Sequence, residues 1–316
     1  MAEALRLELT GAEKLRISRI PTKSLEAYQA YLLGRDNFRR RSAVEFLDNA
    51  IEQFNTAIEL EPDYAEAYSG LAAVYGVITG YQAEPDPNAF DKSKEFAEKA
   101  IELNPDLAEP YAVLGLYHRN IRPSNITLSD EYLDRAIQMA PNNATIRLWQ
   151  GTTRMVMGHL DGAHETLLIA RELDPAGPLI AGWLAESYVA LDDYPTAMKQ
   201  YRSAVDIGVN FSSTFLLGIA ELQILTGDVG AAEKTLAEYF GTDAVQPWLD
   251  AYIPARVNGT NLGEAKALIQ ELNKQDQYND QFCVFMLAAI GANDEALDIL
   301  WENADIEDDI IKNAWM

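Results

Sequence analysis

The chain has 316 residues and a formal net charge of −24 at pH 7, which argues against a general binder of nucleic-acid backbones, because such binders cluster lysine and arginine. Hydrophobic residues make up 48% of the chain and charged residues 23%, a composition that excludes general disorder and can fill a core. Its one cysteine, Cys283, excludes an intramolecular disulfide, and its apolar sequence neighbours predict burial.

The first 23 residues do not share the pattern of the rest of the chain. A short amphipathic stretch precedes Thr10, which caps the start of a second stretch, and Pro21 interrupts the chain before Ser24. The amino terminus lacks the apolar core of a secretion signal, and no window of about 18 uncharged apolar residues occurs in the sequence. We therefore expect residues 1–23 to be a linker or the end of a preceding domain, in a cytoplasmic protein whose chain has no membrane span.

A small basic cluster follows at the start of the helical region. It consists of Arg35, Arg39, Arg40 and Arg41. We expect these side chains to form a solvated helix face or to dock onto the acidic body rather than to contact DNA, and we expect no nucleic-acid contact by the repeats.

Proline recurs behind a short apolar helix tail along the first half of the chain. The prolines are Pro62, Pro105, Pro141 and Pro175, at spacings of 43, 36 and 34 residues. A helical period near 34 residues is typical of stacked helix hairpins. The longer spacings predict insertions at residues 37–47, 82–90 and 122–127, each a loop or a helix extension.

The residues inside each period repeat as well. Tyr68, Leu71 and Tyr75 fall on one helix face, and small residues such as Ala163 and Ala170 occupy the helix before the proline. This pattern resembles the tetratricopeptide repeat (TPR) family, which carries an aromatic residue, a Leu-Gly pair and a tyrosine on the first helix, and alanines and a proline on the second. Other matches are Tyr111, Leu114, Gly115, Ala136, Ala181, Leu184, Ala185, Tyr188, Ala197, Tyr201 and Ala204.

The resemblance implies an all-α fold, a right-handed superhelical solenoid of antiparallel helix hairpins with about eight helix pairs over residues 24–303. Later units match less closely, and Gly227, Gly259 and Gly291 mark their inter-helix turns. We expect residues 304–316 to be an acidic cap or tail. The final repeats, with Trp301 and Trp315, leave open a homodimer through the C-terminal repeats.

Residues 2–21 are similar to the junction at which a TolB-like domain enters a TPR array in bacterial multidomain signalling proteins. That resemblance implies that the chain is the C-terminal portion of a longer protein. The front end would then be a nucleotide cyclase domain or a winged-helix DNA-binding domain, and the repeats its regulatory or sensory arm.

In TPR proteins the first helix of every pair lines a concave wall that binds peptides, helices or partner domains. The basic clamp that holds acidic tails in some relatives is missing here. The residues predicted to line the groove are Leu116, Arg119, Trp149, Thr152, Trp183 and Glu186. Trp149 and Trp183 share a wall position in adjacent units and should lie side by side, either as anchors for a partner or as part of the core.

Nothing in the sequence predicts a catalytic, cofactor or metal site. His159 and His164 lie five residues apart across a turn, whereas two metal-binding histidines on one helix lie four apart. The acidic pair Asp192 and Asp193 fits helix capping. The first hypothesis is therefore a non-catalytic protein-interaction scaffold, the second a regulatory arm of a larger protein, and the least favoured is an enzyme, which would require a pocket with convergent titratable groups.

Overall fold

The computed structural model describes residues 22–41, 44–80, 86–121, 124–207, 213–241, 245–275 and 280–303. These residues form sixteen α-helices and no strand. The chain divides into two compact units, residues 1–120 with 126–150 and residues 121–125 with 151–316. The predicted junction at residues 2–21 and the predicted acidic tail at 304–316 lie outside the described residues, as does the side chain of Trp301.

The first unit contains three helix hairpins, each a first helix packed against a second helix. The helices are α1 (Leu25–Arg39), α2 (Val44–Leu60), α3 (Ala65–Tyr75), α4 (Ala89–Leu103), α5 (Ala108–Asn120) and α6 (Ile126–Met139), with a 3₁₀ turn at Ile78–Gly80. The first helices α1, α3 and α5 also contact one another in succession. Helix α7 (Ala144–Val156) contains the division between the units, which falls after Gln150.

The second unit continues with α8 (Leu160–Leu173), α9 (Pro178–Ala190), α10 (Tyr194–Asp206), α11 (Ser213–Leu225), α12 (Val229–Phe240), α13 (Ile253–Asn258), α14 (Leu262–Gln275), α15 (Asp280–Ala289) and α16 (Asn293–Asn303). Its first helices α9, α11 and α13 contact one another in succession. The predicted all-α, TPR-like arrangement of about eight helix pairs is confirmed for the part of the chain that the structure describes.

The recurring prolines mark helix ends as predicted. Helices α2, α4, α6 and α8 each end two residues before the proline of their repeat. A proline ends a helix because its nitrogen cannot donate and its ring clashes with the preceding turn. In the later repeats Gly227, Gly259 and Gly291 end the first helices instead, in the turns inside the hairpins, with φ angles of 84°, 66° and 77° that other residues rarely adopt.

Small residues let the two helices of a hairpin approach closely. A Cβ atom at Gly115 would lie 2.8 Å from Cγ of Leu133, and one at Gly151 would lie 2.6 Å from Cγ of Leu167. In these two hairpins the glycine of the first helix is therefore the counterpart of a leucine on the second helix. Cys283 is fully buried, as predicted.

The predicted insertions are only partly described. At residues 37–47, α1 continues to Arg39 and α2 begins at Val44. The insertions at 82–90 and 122–127 each end in the first turn of a helix. Among the described residues, no helix combines the length and apolar character needed to cross a bilayer.

The basic cluster docks onto acidic residues of the first unit. Nη1 of Arg35 donates to both carboxylate oxygens of Glu109, at 2.7 and 2.8 Å. Arg39 and Arg40 both pair with Asp36 on their own helix. Of the two alternatives for this cluster, docking onto the acidic body therefore describes Arg35, and a helix face paired to its own aspartate describes its neighbours.

The hairpin that starts near residue 248 departs from the regular repeat. Its first helix is a π-helical turn at Trp248–Tyr252 followed by the short α13. Pro254 has no N–H for the carbonyl of Asp250, four residues earlier, and the side chain of Asn261 donates to that carbonyl at 2.9 Å instead. The repeat pattern predicted an ordinary helix here, and the proline is the reason for the difference.

Candidate functional site

The second unit contains a cavity of about 250 Å³. First helices of successive hairpins supply most of its lining: Glu186 of α9, Leu225 of α11, Arg256 of α13 and Ala288 of α15. The second helix α10 adds the rings of Tyr194 and Tyr201. The cavity therefore lies along the helix positions that the repeat pattern predicts to form a binding wall.

Glu186 is the most perturbed carboxyl group in the lining. The Tyr201 hydroxyl donates a 2.6 Å hydrogen bond to Glu186 Oε1. Burial raises the pKa of Glu186 from 4.5 to about 7, because desolvation disfavours the charged form, while the hydrogen bond from Tyr201 acts in the opposite direction. Within the described residues, no lysine or arginine forms an ion pair with Glu186.

Gly218 makes the contact between Tyr201 and Glu186 sterically feasible. A Cβ atom at position 218 would lie 2.6 Å from the Tyr201 hydroxyl and 2.8 Å from Glu186 Oε1. Both distances are far below van der Waals contact, so any larger residue on this face of α11 would displace one of the two groups.

A second carboxylate in the lining is already neutralised. Glu221 accepts from the Tyr252 hydroxyl at 2.9 Å and from Nε of Arg256. Burial and the neighbouring Glu221 raise the pKa of Tyr252 well above its usual value, so this hydroxyl remains a donor. The cavity thus holds one carboxyl group with a cationic partner and one, Glu186, without.

Tyr194 stands at the start of α10, beside the turn that leads out of α9. Its hydroxyl donates to Asp192 at 2.8 Å. In the same turn Asp193 caps α10 by accepting from the amide of Thr196, as the capping prediction for this acidic pair required. The cap fixes the direction of α10 and with it the position of Tyr194 on the cavity lining.

The six residues predicted to line the groove differ in how exposed their side chains are. Leu116, Trp149 and Thr152 are 1%, 5% and 7% exposed. Side chains buried to this degree offer no surface to a partner, so packing explains them better than direct contact. Glu186 is the one member of the predicted set that lines the cavity.

The other two predicted residues, Arg119 and Trp183, are partly buried. Nε of Arg119 donates to the side chain of Asn120, and burial lowers the pKa of Arg119 to about 10. Trp183 packs edge-on against Phe215, with ring centroids 5.7 Å apart. Trp149 belongs to the first unit and Trp183 to the second, so their side-by-side placement stays a prediction.

The predicted groove set omits Glu221, Arg256 and Tyr201 of the cavity lining, and Tyr252, which contacts Glu221 without lining the cavity; a signal for the first two exists. Glu186, Glu221 and Arg256 follow one another at intervals of 35 residues. An interval close to the repeat period puts them at equivalent positions of successive first helices. Tyr201 and Tyr252 carry no comparable signal, because their hydroxyl contacts depend on how neighbouring helices pack.

The histidines occupy structural positions. His159 is the residue before α8, and Nδ1 of His164 lies 3.0 Å from the Ser187 hydroxyl. In the residues that the structure describes, no three histidine, cysteine, aspartate or glutamate side chains are grouped so as to hold a metal ion.

Comparison with known families gives a match to the TPR repeat for residues 47–76. The matched segment contains most of α2 and all of α3, which are the second helix of one hairpin and the first helix of the next. Together with the paired helices, this match assigns the fold to the TPR type.

Solved structures agree with that fold. PilW, described as a widely conserved type IV pilus biogenesis factor, is 19% identical, with 72% of this chain and 99% of that chain covered and a TM-score of 0.51. The human IFIT1 dimer with PPP-AAAA is 18% identical, with 82% and 68% covered and a TM-score of 0.56. At this level of identity the likeness concerns the fold alone.

The curated relatives are transcriptional regulators by name. The chain is 25% identical over 183 residues to the transcriptional regulator HilA of Salmonella paratyphi A, and 24% identical to HilA of Salmonella typhimurium. The match covers 57% of this chain and 32% of each relative, so the chain spans about a third of the length of the curated relatives it matches.

Proposed function

We propose that the chain is a non-catalytic protein-interaction scaffold and that the cavity of the second unit receives part of a partner peptide or helix. One observation carries the proposal: first helices of four successive hairpins supply residues to a single cavity. Repeat scaffolds use the surface formed by equivalent helices of successive repeats for recognition. A TPR-type fold suggests the same class of function.

The size of the cavity favours a side chain of a larger partner over a free small molecule. Ligand pockets for small molecules usually range from about 300 to 1,000 Å³, and this cavity is smaller. Val189 and the 38% exposed Leu225 give it an apolar part, and Glu186 gives it a polar end. A long side chain that projects from a bound peptide can contact the apolar part and the polar end together.

The corresponding surface of the first unit is occupied by its own side chains. Glu109 of α5 accepts two bonds from Arg35 of α1 and one, at 2.9 Å, from the hydroxyl of Ser69 on α3. These contacts join three successive first helices and use the polar groups that a partner would need. The proposal therefore places binding in the second unit.

The test is selection of peptides from a random dodecapeptide library displayed on phage, followed by affinity measurements with synthetic copies. The variant Leu225→Trp fills the cavity mouth. Leu191→Trp is its matched control, because Leu191 is also 38% exposed but does not line the cavity. We expect about ten-fold or greater loss of affinity with Leu225→Trp and none with the control. Peptides that bind all three proteins equally would contradict the proposal.

A second candidate function is the regulatory arm of a transcriptional regulator. The match to about a third of the transcriptional regulator HilA supports this candidate. Sequencing the complete gene tests this candidate: a DNA-binding domain encoded in the same reading frame is the expected result, and a catalytic domain in its place would contradict it.

A further inference from the structure

Resting on the proposed function, we infer that the cavity selects a basic residue, lysine or arginine, of the partner peptide, with the Glu186 carboxylate as its ion-pair acceptor. The inference starts from the contrast between the two carboxyl groups of the cavity. Glu221 has Arg256 as its cation, whereas among the described residues the partner of Glu186 is the hydroxyl of Tyr201.

A partly desolvated carboxylate with one hydrogen bond retains acceptor capacity. A carboxylate has two oxygens with about four lone-pair directions, and Tyr201 uses one of them at Oε1. An ammonium or guanidinium group that enters the cavity supplies charge-assisted hydrogen bonds for the rest. Because the cavity is partly shielded from water, such a pair is stronger than one on an open surface.

The remaining lining suits the stem of a long basic side chain. Val189 and Leu225 offer apolar surface to methylene groups, and lysine and arginine pack their stems on such surface while the charged end reaches a polar group. The half-buried ring of Tyr194 provides an aromatic face or edge near the same cavity. A basic residue therefore meets apolar, aromatic and anionic groups together.

The cavity itself is the space for the charged end, and Glu186, Tyr201 and Gly218 lie side by side in its lining. The glycine lets the Tyr201 hydroxyl and the Glu186 carboxyl group occupy the position that a Cβ atom would otherwise take, so the carboxyl group stays on the cavity wall. An acidic partner group is disfavoured in the same place, because the guanidinium of Arg256 is already engaged by Glu221.

The net charge of the whole chain also favours a basic partner. A net charge of −24 attracts cationic segments and repels acidic ones, and this long-range attraction raises association rates. The cavity then adds a local acceptor for one basic residue, so the partner surface that fits is a basic peptide.

The test uses a double-mutant cycle. Peptides selected on the wild-type protein should share one lysine or arginine, and replacement of that residue by norleucine should weaken binding at least about ten-fold. Glu186→Gln should cause a similar loss for the basic peptide but no further loss for the norleucine peptide. The control Glu165→Gln removes the same charge from an exposed position of α8 and should leave affinity unchanged.

The outcomes separate this inference from the proposed function. Peptides that lack a shared basic residue but lose binding with Leu225→Trp overturn the inference and leave the proposed function standing. Basic peptides that bind Glu186→Gln as well as wild type also overturn it. If no selected peptide loses binding with Leu225→Trp, both proposals fail.

Discussion

The Tyr201 hydroxyl donates a hydrogen bond to Glu186 across the interface between α10 and α9, with 2.6 Å between the two oxygens. The tyrosine ring is fully buried and belongs to the core, while the carboxyl group lines the cavity. One hydrogen bond thus connects the packing of a hairpin to the chemistry of its exposed side. A change in either residue should therefore affect both stability and binding.

Glu186→Gln should stabilise the second unit at high pH. The folded-state pKa of about 7 lies above the ordinary 4.5, so the folded chain holds the proton more tightly and wild-type stability falls as pH rises from about 4.5 to about 7. The neutral amide removes that cost, which is up to about 3 kcal/mol above pH 7. Urea unfolding at about pH 5 and about pH 8 should show a gain for the variant only at the higher pH. Parallel pH profiles for the two proteins would refute this.

Affinity for a basic peptide should increase with pH through neutrality. The other titratable groups in the cavity lining are Tyr194, Tyr201, Glu221 and Arg256. With Glu221 bound to Arg256 and tyrosines protonated at neutral pH, Glu186 is the group that gains charge in this range. From about pH 6 to about pH 8 the ionised fraction grows about ten-fold, and the association constant should follow. Fluorescence polarisation measures it, and Glu186→Gln should give a flat profile.

Gly218→Ala should destabilise the protein and weaken peptide binding together. The added methyl group would overlap the Tyr201 hydroxyl and Glu186 Oε1, at a cost of about 1–3 kcal/mol. Gly230→Ala is the matched control, since Gly230 lies in α12 and a Cβ atom there would meet no atom within 4 Å. That change should be neutral or stabilising by up to about 1 kcal/mol. Thermal unfolding of both variants decides the matter, and equal midpoints would count against the assigned contact.

Asn261 should stabilise the irregular hairpin through its side-chain hydrogen bond to the carbonyl of Asp250. Its φ of 59° is left-handed, so two substitutions separate the effects. Asn261→Gly loses the hydrogen bond without adding strain in the folded chain, at about 0.5–1 kcal/mol plus the entropy cost of a glycine, whereas Asn261→Ala loses the bond and adds about 1 kcal/mol of backbone strain. Urea unfolding distinguishes the two. A glycine variant as stable as wild type would show that water replaces the bond at no cost.

Arg35 and Glu109 should be energetically coupled across three hairpins of the first unit. Their side chains are 33% and 14% exposed and one guanidinium nitrogen contacts both carboxylate oxygens, so a double-mutant cycle with Arg35→Met and Glu109→Gln should give about 1–2 kcal/mol. The exposed pair between Arg40 and Asp36 on one helix serves as the comparison and should show no measurable coupling. Coupling of the same size in both pairs would contradict the assignment of a specific inter-hairpin contact.

Features that recur with the repeat could be predicted from the sequence. The ends of α2, α4, α6 and α8 follow from prolines, and the cap by Asp193 follows from the residue type that inter-helix turns prefer. Such signals are local in the chain and depend on backbone chemistry alone. In the later units, where side-chain matches to the TPR pattern were weaker, Gly227, Gly259 and Gly291 located the turns between paired helices instead.

The site was harder to predict, because it depends on contacts between helices distant in sequence. Trp149 is buried and Glu186 is partly exposed, although both were predicted to lie on the wall formed by the first helices. The repeat pattern alone did not distinguish these two environments. Tyr201 matched the repeat pattern as a core residue, and this interpretation is correct for its ring. The pattern did not predict the hydrogen bond that the Tyr201 hydroxyl donates to Glu186. The break at Pro254 also lay inside an apparently ordinary repeat, since a proline near a helix start is compatible with a regular helix.

The interval of 35 residues places Glu186, Glu221 and Arg256 at equivalent positions of three successive hairpins. Glu221 and Arg256 pair with each other there, so these two positions tie neighbouring hairpins together. Glu186 has the Tyr201 hydroxyl as its donor and lines the cavity. One recurring position of the repeat thus acts as a joint between hairpins in one place and, in the proposed function, as the group that recognises a partner in another.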